Sequence, residues 1–153
     1  MKSKKVTKAR AKRPPVERWY EDACCGAHAL ELIGERWSLL IVRELIFGPR
    51  RFSEIKAGLP GISANVLTQR LGGLERAGLL KRDRLPPPAN AQVYELTQWG
   101  YEVEPIIQVM SRWAARSPDH DPSLPLSAAS LMLSFRTLFD AKRAAGIDAT
   151  VGF

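Results

Sequence analysis

The most reactive side chains in this 153-residue sequence are two adjacent thiols, Cys24 and Cys25. Backbone amides at a helix start lower the pKa of a thiol, and a neighbouring thiol can resolve a sulfenic acid. The pair could therefore react with oxidants or electrophiles. Glu21 and Asp22 lie nearby and oppose thiolate formation, so an inert thiol is the alternative interpretation. Because adjacent cysteines cannot join distant segments, stability must come from a packed core, and both thiols are expected to be reduced.

The other polar residues are not spaced for catalysis or for metal binding. Cys24 and His28 share a helix face at a spacing of four, as two metal ligands would, but the chain has only 2 histidines. No further ligand cluster in the sequence completes a tetrahedral site. A nucleophile elbow, a phosphate loop and paired catalytic carboxylates are also missing from the sequence. We therefore expect a protein that is not an enzyme and that needs no metal and no cofactor.

Positive charge is concentrated in two stretches of a chain whose net charge is +7. Residues 1–18 hold eight Lys or Arg and one Glu, and residues 50–84 hold eight Lys or Arg and three acidic residues. The first stretch has little apolar content and is predicted to be a disordered tail, which either lies along nucleic acid or stays solvated. The second predicts an anion-binding surface, which favours a nucleic-acid role for the tail over a solvated one.

The remaining composition is that of an ordinary globular protein, with 45% apolar and 25% charged residues. The longest apolar run is four residues, at positions 39–42, whereas a membrane span needs about 20. No apolar stretch follows the basic N-terminal residues, as a secretory signal would require. We therefore expect a cytoplasmic protein with no membrane contact.

Apolar periodicity and capping residues predict a mainly α fold. Two helices are expected to meet near Gly34 and to end before Gly48, and a third is expected at residues 52–59 with Ser53 as its N-cap. A fourth helix should run from a Ser63 cap to a stop at Gly78. A longer helix after Thr97 is expected to bend at Pro105, because proline cannot donate a backbone hydrogen bond.

A small β-hairpin is predicted between the fourth helix and the long helix. Its strands cover residues 79–84 and 92–96, and its tip is rich in proline. Two short helices joined by a tight turn and followed by a hairpin wing are typical of a winged helix-turn-helix, in which the second helix enters the major groove. We assign this DNA-binding and dimerisation domain to residues 19–117.

The predicted fourth helix has a face that could read bases. Leu67, Leu71 and Leu74 share one side of the helical wheel and must be core, which fixes the opposite face. That face holds Asn65, Gln69, Gly72 and Arg76, and its flanks hold Val66, Thr68 and Gly73. Asn and Gln can each bridge adenine N6 and N7, so Asn65 and Gln69 are the expected base-reading residues. The glycine pair either loosens the helix or permits close approach of the DNA backbone.

Phosphate contacts are predicted on both sides of this helix. The expected residues are Arg50, Arg51, Ser63 with the free amides of the helix start, Lys81, Arg82 and Arg84. Alternation along the strand places Lys81 on one face of the hairpin and Arg82 with Arg84 on the other, so the two sets cannot contact the same DNA surface equally. Such contacts fix the position of a protein on DNA and do not select a sequence.

Several motifs together indicate a known family. They are residues 33–41 (IGERWSLLI), 48–55 (GPRRFSEI), 67–71 (LTQRL) and 94–97 (YELT), with Cys24 thirteen residues before Trp37. Over about residues 20–117 the chain closely resembles the HxlR-type winged helix-turn-helix transcriptional regulators of bacteria. The resemblance implies a DNA-binding homodimer without catalytic activity. It also implies that Cys24 is a candidate sensor, because some members sense oxidants or electrophiles with a cysteine at this position. The glycine pair departs from the family, which usually has larger polar residues there.

Assembly is predicted from an apolar stripe that is larger than one small domain needs. The stripe consists of Trp99, Val103, Ile106, Met110 and Trp113. We expect it to join a two-fold partner, so that the homodimer reads an inverted repeat.

Residues 118–153 are predicted to form a linker and an amphipathic helix over about residues 127–145. The alternative interpretation of this segment is a truncated second domain. Leu131, Phe135, Leu138 and Phe139 should share one face of this helix. Two short motifs, residues 138–140 and 148–150, are similar to the opening of the sterol-carrier-like domain that follows some HxlR-type regulators. The segment is too short to enclose a lipid cavity. The alternative function for the whole chain is a ligand- or partner-binding module that uses this helix, with DNA binding vestigial.

Overall fold

In the computed structural model, which describes residues 20–150, seven α-helices and two β-strands follow one another in the predicted order. They are α1 (Cys25–Ile33), α2 (Ser38–Leu45), α3 (Phe52–Ala57), α4 (Ala64–Ala77), β1 (Leu80–Arg84), β2 (Gln92–Leu96), α5 (Gln98–Tyr101), α6 (Glu104–Ala114) and α7 (Ala128–Leu138). The predicted winged helix-turn-helix fold is confirmed. The predicted basic tail, residues 1–18, lies outside the described residues.

The predicted caps of α4 are present at both of its ends. The hydroxyl of Ser63 accepts a hydrogen bond from Val66 N at 3.2 Å, and Gly78 closes α4 with a left-handed φ of 79°. The predicted N-cap of α3 is wrong. Arg51 is the N-cap, because the carboxylate of Glu54 accepts a 2.6 Å hydrogen bond from the backbone N–H of Arg51.

The core lies between α2, α4 and the hairpin. Ile41 and Leu45 of α2 are fully buried, as are Leu67 and Leu71 of α4. The hairpin contributes buried residues such as Leu80. Each such side chain stabilises the fold by about 1.5–3 kcal/mol relative to exposure.

The helix predicted after Thr97 is interrupted and not bent. The structure has a short α5 capped by the Thr97 hydroxyl, which accepts a hydrogen bond from Gly100 N at 3.1 Å. A separate α6 then begins with Pro105 in its first turn, where the missing amide of proline is not needed. Val103 lies at the junction and is only 6% exposed, so the structure places it in the protomer core and away from the surface stripe.

The C-terminal helix is shorter than predicted and packs through its other face. It ends at Leu138 and not near residue 145. Ala129 and Leu133 are buried against the body, whereas Leu138 and Phe139 are about 70% exposed. The small side chains of Ala129 and Ser130 let α7 approach α2 and α6 closely, which hydrophobicity alone does not reveal. None of the helices within residues 20–150 has the length and apolar character required to cross a bilayer.

Candidate nucleic-acid interface

The exposed face of α4 is polar and makes few contacts with the rest of the protein. Asn65, Thr68, Gln69 and Arg76 are exposed, while the leucines at spacings of three and four are buried, in agreement with the wheel. Within residues 20–150, no hydrogen bond occupies the side-chain amides of Asn65 and Gln69. The hydroxyl of Thr68 donates to Ala64 O at 2.9 Å, which leaves its methyl group at the surface. The amides are therefore available to base edges.

The glycine pair does not break α4, which runs continuously through Gly72 and Gly73. A Cβ added at Gly73 would meet nothing within 4 Å, and one at Gly72 would meet only the end of the flexible Arg76 side chain at 3.4 Å. Packing within the protein therefore does not require either glycine. Because Gly73 follows Asn65 and Gln69 at spacings of four, the open space lies on the same row of the helix as the two amides.

The loop before α3 is joined to the wing. Arg50 N donates to Tyr94 O at 3.0 Å, and Tyr94 N donates to Arg50 O at 2.8 Å, so Arg50 forms an isolated bridge beside β2. Arg51 follows and is exposed at the N-terminus of α3. In the described part of the chain, neither arginine has an ion pair with an acidic side chain. Both positive charges are therefore open to an anion.

The predicted basic residues of the wing divide into paired and unpaired groups. Lys81 contacts the carboxylate of its cross-strand partner Glu95 at 2.8 Å and that of Asp83 at 3.4 Å. Hydrogen bonds to Glu95 and Asp83 raise the pKa of Lys81, and the backbone N–H of Arg84 lowers the pKa of Asp83. These contacts reduce the net positive charge that this strand face presents to an anion.

Arg82 is paired on the opposite strand face. Its Nε lies 3.1 Å from the carboxylate of Glu75, and its guanidinium lies over the ring of Tyr94 at 5.7 Å. Arg84 has no ion pair within the described residues and is exposed. Of the three wing residues predicted to contact phosphate, Arg84 therefore presents the charge that is least neutralised by the protein.

Two acidic residues that pair with the basic side chains of the wing were not predicted from the sequence. Glu75 on α4 and Glu95 on β2 neutralise Arg82 and Lys81. The predicted hairpin already places Lys81 opposite Glu95, so cross-strand pairing was the signal for one of them.

The two thiols lie at the start of α1 and are both exposed. Cys24 is the N-cap, and hydrogen bonding from the backbone N–H groups of Ala27 and Gly26 lowers the pKa of its thiol. Glu21 and Asp22 were expected to raise the pKa of this thiol, but the backbone hydrogen bonds have the larger effect. The imidazole of His28 is directed to Glu31, with Nδ1 3.0 Å from the carboxylate.

One face of α6 is apolar and exposed. Ile106, Met110 and Trp113 are 44%, 47% and 70% exposed, and Trp99 on α5 is 41% exposed. Val109, which the sequence analysis did not include, is 59% exposed and lies beside Met110. We call Ile106, Val109, Met110 and Trp113 the α6 apolar face.

Comparison with known proteins decides the family. The HxlR-like helix-turn-helix family matches residues 32–122, which is more than half of the chain. The chain belongs to the HxlR-like helix-turn-helix family. As a member, it is a DNA-binding transcriptional regulator, as predicted. The match ends before α7, and the predicted similarity of the C-terminal segment to a sterol-carrier-like domain is not supported.

Relatives of this HxlR-like regulator are found by sequence and among solved structures. The helix-turn-helix regulator YvaP of Bacillus subtilis (strain 168) is 43% identical over 86 residues, which is 56% of this chain and 80% of YvaP. The reduced form of the regulator YodB from B. subtilis matches with a TM-score of 0.56 and 35% identity, over 64% of this chain and 98% of that one. The redox regulator HypR in its oxidised form matches with a TM-score of 0.56 and 31% identity, over 63% and 100% of the two chains.

Proposed function

We propose that this regulator is a homodimer that binds an inverted repeat, with α4 of each protomer in the major groove. The observation that carries the proposal is the exposed row of α4, on which the amides of Asn65 and Gln69 have no partner within the described residues. Base edges of adenine present the donor and acceptor that such amides match. The open surface at Gly73 lets a DNA backbone approach the same row.

Phosphate anchors flank the reading helix in this proposal. Arg50, Arg51 and Arg84, which have no ion pair within residues 20–150, supply charge. The Ser63 end of α4 supplies a hydroxyl and free backbone amides. Arg76 extends the same exposed side of α4. Lys81 and Arg82 contribute less than the sequence alone suggests, because acidic partners already neutralise them.

The α6 apolar face supports the homodimer. Four large side chains at helical spacing, 44% to 70% exposed, form a continuous stripe of the kind that is buried between subunits. A two-fold pairing through α6 repeats each α4 on the other side of the axis. An inverted repeat is the DNA sequence that matches this symmetry.

Cys24 is the proposed sensor of this regulator. Structures of the neighbour YodB include a quinone-bound and a diamide-treated form, and HypR is described as a redox regulator. Here the N-cap position lowers the pKa of Cys24 and leaves the thiol exposed. The thiolate of Cys24 adds to a quinone-type electrophile. A carbon–sulfur bond forms at a ring carbon conjugated to a carbonyl, and the C=C π bond at that carbon breaks. The electron pair moves through the conjugated system to the carbonyl oxygen, which takes up a proton from solvent.

One observation favours the alternative function through the C-terminal segment. The end of α7 and the residues after it form an open groove of ≈ 630 Å³. It is lined by Phe135, Leu138, Phe139, Asp140, Arg143, Ala144 and Ile147. The exposed row of α4 that holds Asn65 and Gln69 favours DNA as the main ligand, and so does the family membership. In the alternative, the groove would take an apolar partner and DNA binding would be weak.

Selection of binding sites from a pool of randomised duplexes tests the proposed function. We expect the full chain to enrich an inverted repeat and to shift the enriched duplex in a gel at moderate salt. No enrichment, together with no shift of DNA flanking its own coding region, would contradict the proposal and leave the C-terminal groove as the binding site. An enriched single half-site would contradict the two-fold arrangement.

A further inference from the structure

Helix α7 lies beyond the segment matched by the family, yet specific polar contacts join it to the DNA-binding body. The match ends at residue 122, and α7 covers Ala128–Leu138. Its N-cap, Ser127, contacts α2, and its C-terminal half contacts α6 and the loop after α2. Leu133 belongs to the same core as α2 and α4. The position of α7 is therefore fixed by the fold.

The first of these contacts is a buried one at the start of α7. The hydroxyl of Ser127 donates to Glu44 Oε1 at 2.6 Å, and the same hydroxyl accepts from Ser130 N at 3.0 Å. Glu44 is 0% exposed, and its carboxylate also accepts a 2.9 Å hydrogen bond from the guanidinium of Arg43. A charge-assisted hydrogen bond of this kind, shielded from water, holds the start of α7 on α2.

The second contact joins three elements through one side chain. Arg136 Nη1 lies 2.8 and 3.0 Å from the two carboxylate oxygens of Glu104, in the first turn of α6. The guanidinium of Arg136 also lies over the ring of Phe47 at 4.7 Å. Phe47 lies three residues before Arg50, so Arg136 connects the start of α6 to the loop that carries Arg50 and Arg51.

We propose that Arg136 is a positioning residue for DNA binding, which holds the phosphate-contacting loop in a fixed relation to α6. This inference rests on the proposed function, because it takes Arg50 and Arg51 as phosphate anchors and α6 as the dimerisation helix. Arg136 does not contact DNA in this arrangement. It acts through Phe47, and the bridge between Arg50 and Tyr94 passes the constraint to the wing.

Hydrogen exchange of the free protein tests the positioning role without DNA. Arg136→Met removes both contacts, and Arg136→Lys keeps the charge. Lys142→Met, which removes a charge from an exposed residue of the same C-terminal segment outside the groove lining, is the matched control. Exposed ion pairs contribute little to global stability, so the effect of Arg136→Met should be local. We expect the amides of Arg50 and Tyr94 to exchange several-fold faster in Arg136→Met, relative to those of Leu71 and Leu74 in α4, and to stay near wild type in the other two variants.

Binding to a random-sequence duplex and to the selected duplex then measures the consequence for DNA. Loosened anchors weaken both by a similar factor, so Arg136→Met should lower both affinities several-fold and leave their ratio unchanged. Unchanged exchange at Arg50 and Tyr94, or equal acceleration at Leu71 and Leu74, would overturn the positioning role. If Arg51→Ala weakens binding and Arg136→Met does not, the link to DNA is overturned. If Arg51→Ala itself has no effect, the phosphate anchor of the proposed function fails, while the exchange result still decides whether α7 holds the loop.

Discussion

Arg50 and Tyr94 exchange both of their backbone hydrogen bonds, at 3.0 and 2.8 Å, across 44 residues of sequence. This pair is an isolated bridge that joins the loop before α3 to β2 of the two-stranded wing. The backbone of Arg50 is consequently fixed to the wing, and Arg51 follows it directly at the start of α3. Anchored donors lose less conformational entropy when they bind a phosphate, so this pair favours the loop as a contact site.

The first prediction concerns assembly through the α6 apolar face. Trp113→Glu places a charge on the most exposed residue of that face, and we expect it to give a monomer, because an unpaired charge cannot be buried in an apolar interface. Light scattering should report twice the chain mass of 17.0 kDa for the wild type and a single chain for the variant. Leu138→Glu is the matched control, since Leu138 is 71% exposed and Trp113 is 70% exposed. A dimer that Leu138→Glu dissociates and Trp113→Glu does not would move the interface to α7.

A second prediction separates two glycines with opposite roles. A Cβ at Gly100 would clash with the backbone carbonyl of Leu79, so Gly100→Ala should destabilise the fold by about 1–3 kcal/mol. Gly73→Ala meets open space within α4 and should stabilise it by about 0.5–1 kcal/mol. Urea denaturation measures both. The same Gly73→Ala protein is expected to bind DNA less tightly, because its methyl group occupies the surface that a DNA backbone approaches. Equal or tighter DNA binding would contradict that use of Gly73.

The pH dependence of the Cys24 thiol gives a third prediction. Hydrogen bonding from the amides of Ala27 and Gly26 lowers the pKa of Cys24 in the folded state, so the thiolate forms at lower pH than in the unfolded chain. The linked stabilisation is present above the unfolded pKa and is lost as the pH falls through the folded pKa. Alkylation of Cys25→Ser by iodoacetamide should therefore show a lower midpoint pH in buffer than in urea. Coincident midpoints would show that the helix start does not activate the thiol.

The fourth prediction tests sensing. Cys24→Ser should bind the selected duplex as the wild type does, and it should no longer release DNA when a quinone is added, because the nucleophilic sulfur is gone. Cys25→Ser is the control and should keep most of the response, because a quinone adds to Cys24 without a resolving thiol. Gel shifts with increasing quinone measure all three proteins. If wild type and Cys24→Ser release DNA at the same quinone concentration, Cys24 has no sensing role.

The sequence predicted those parts of the fold that depend on local chemistry. Ser63 and Gly78 bound α4 as expected, because a hydroxyl cap and a left-handed glycine act within one helical turn. The facing of α4 also followed from its leucines alone. Local rules failed at the start of α3, where Ser53 and Glu54 are both residues that cap helices. The carboxylate of Glu54 accepts a hydrogen bond from the backbone N–H of Arg51, so Arg51 and not Ser53 is the N-cap.

Long-range packing explains the rest of the differences. The buried face of α7 could not be predicted from hydrophobicity. The small residue Ala129 is buried on this face, whereas the larger Leu138 and Phe139 stay exposed. The link between Arg136, Glu104 and Phe47 joins segments far apart in sequence, and no local pattern signals it. The candidate DNA-binding set was proposed from the sequence, but its division into neutralised and open charges required the positions of Glu75 and Glu95.

The most direct test of the reading role of α4 is the ratio of affinities for the selected duplex and a random duplex at one salt concentration. We predict that Gln69→Ala and Asn65→Ala each lower this ratio by about 1–3 kcal/mol, roughly 5- to 150-fold, and relax the preference at one base pair of each half-site. Arg51→Ala, the control for a phosphate contact, should weaken both duplexes and leave the ratio near that of the wild type. If the ratio is unchanged in both Gln69→Ala and Asn65→Ala, the exposed face of α4 does not read the bases.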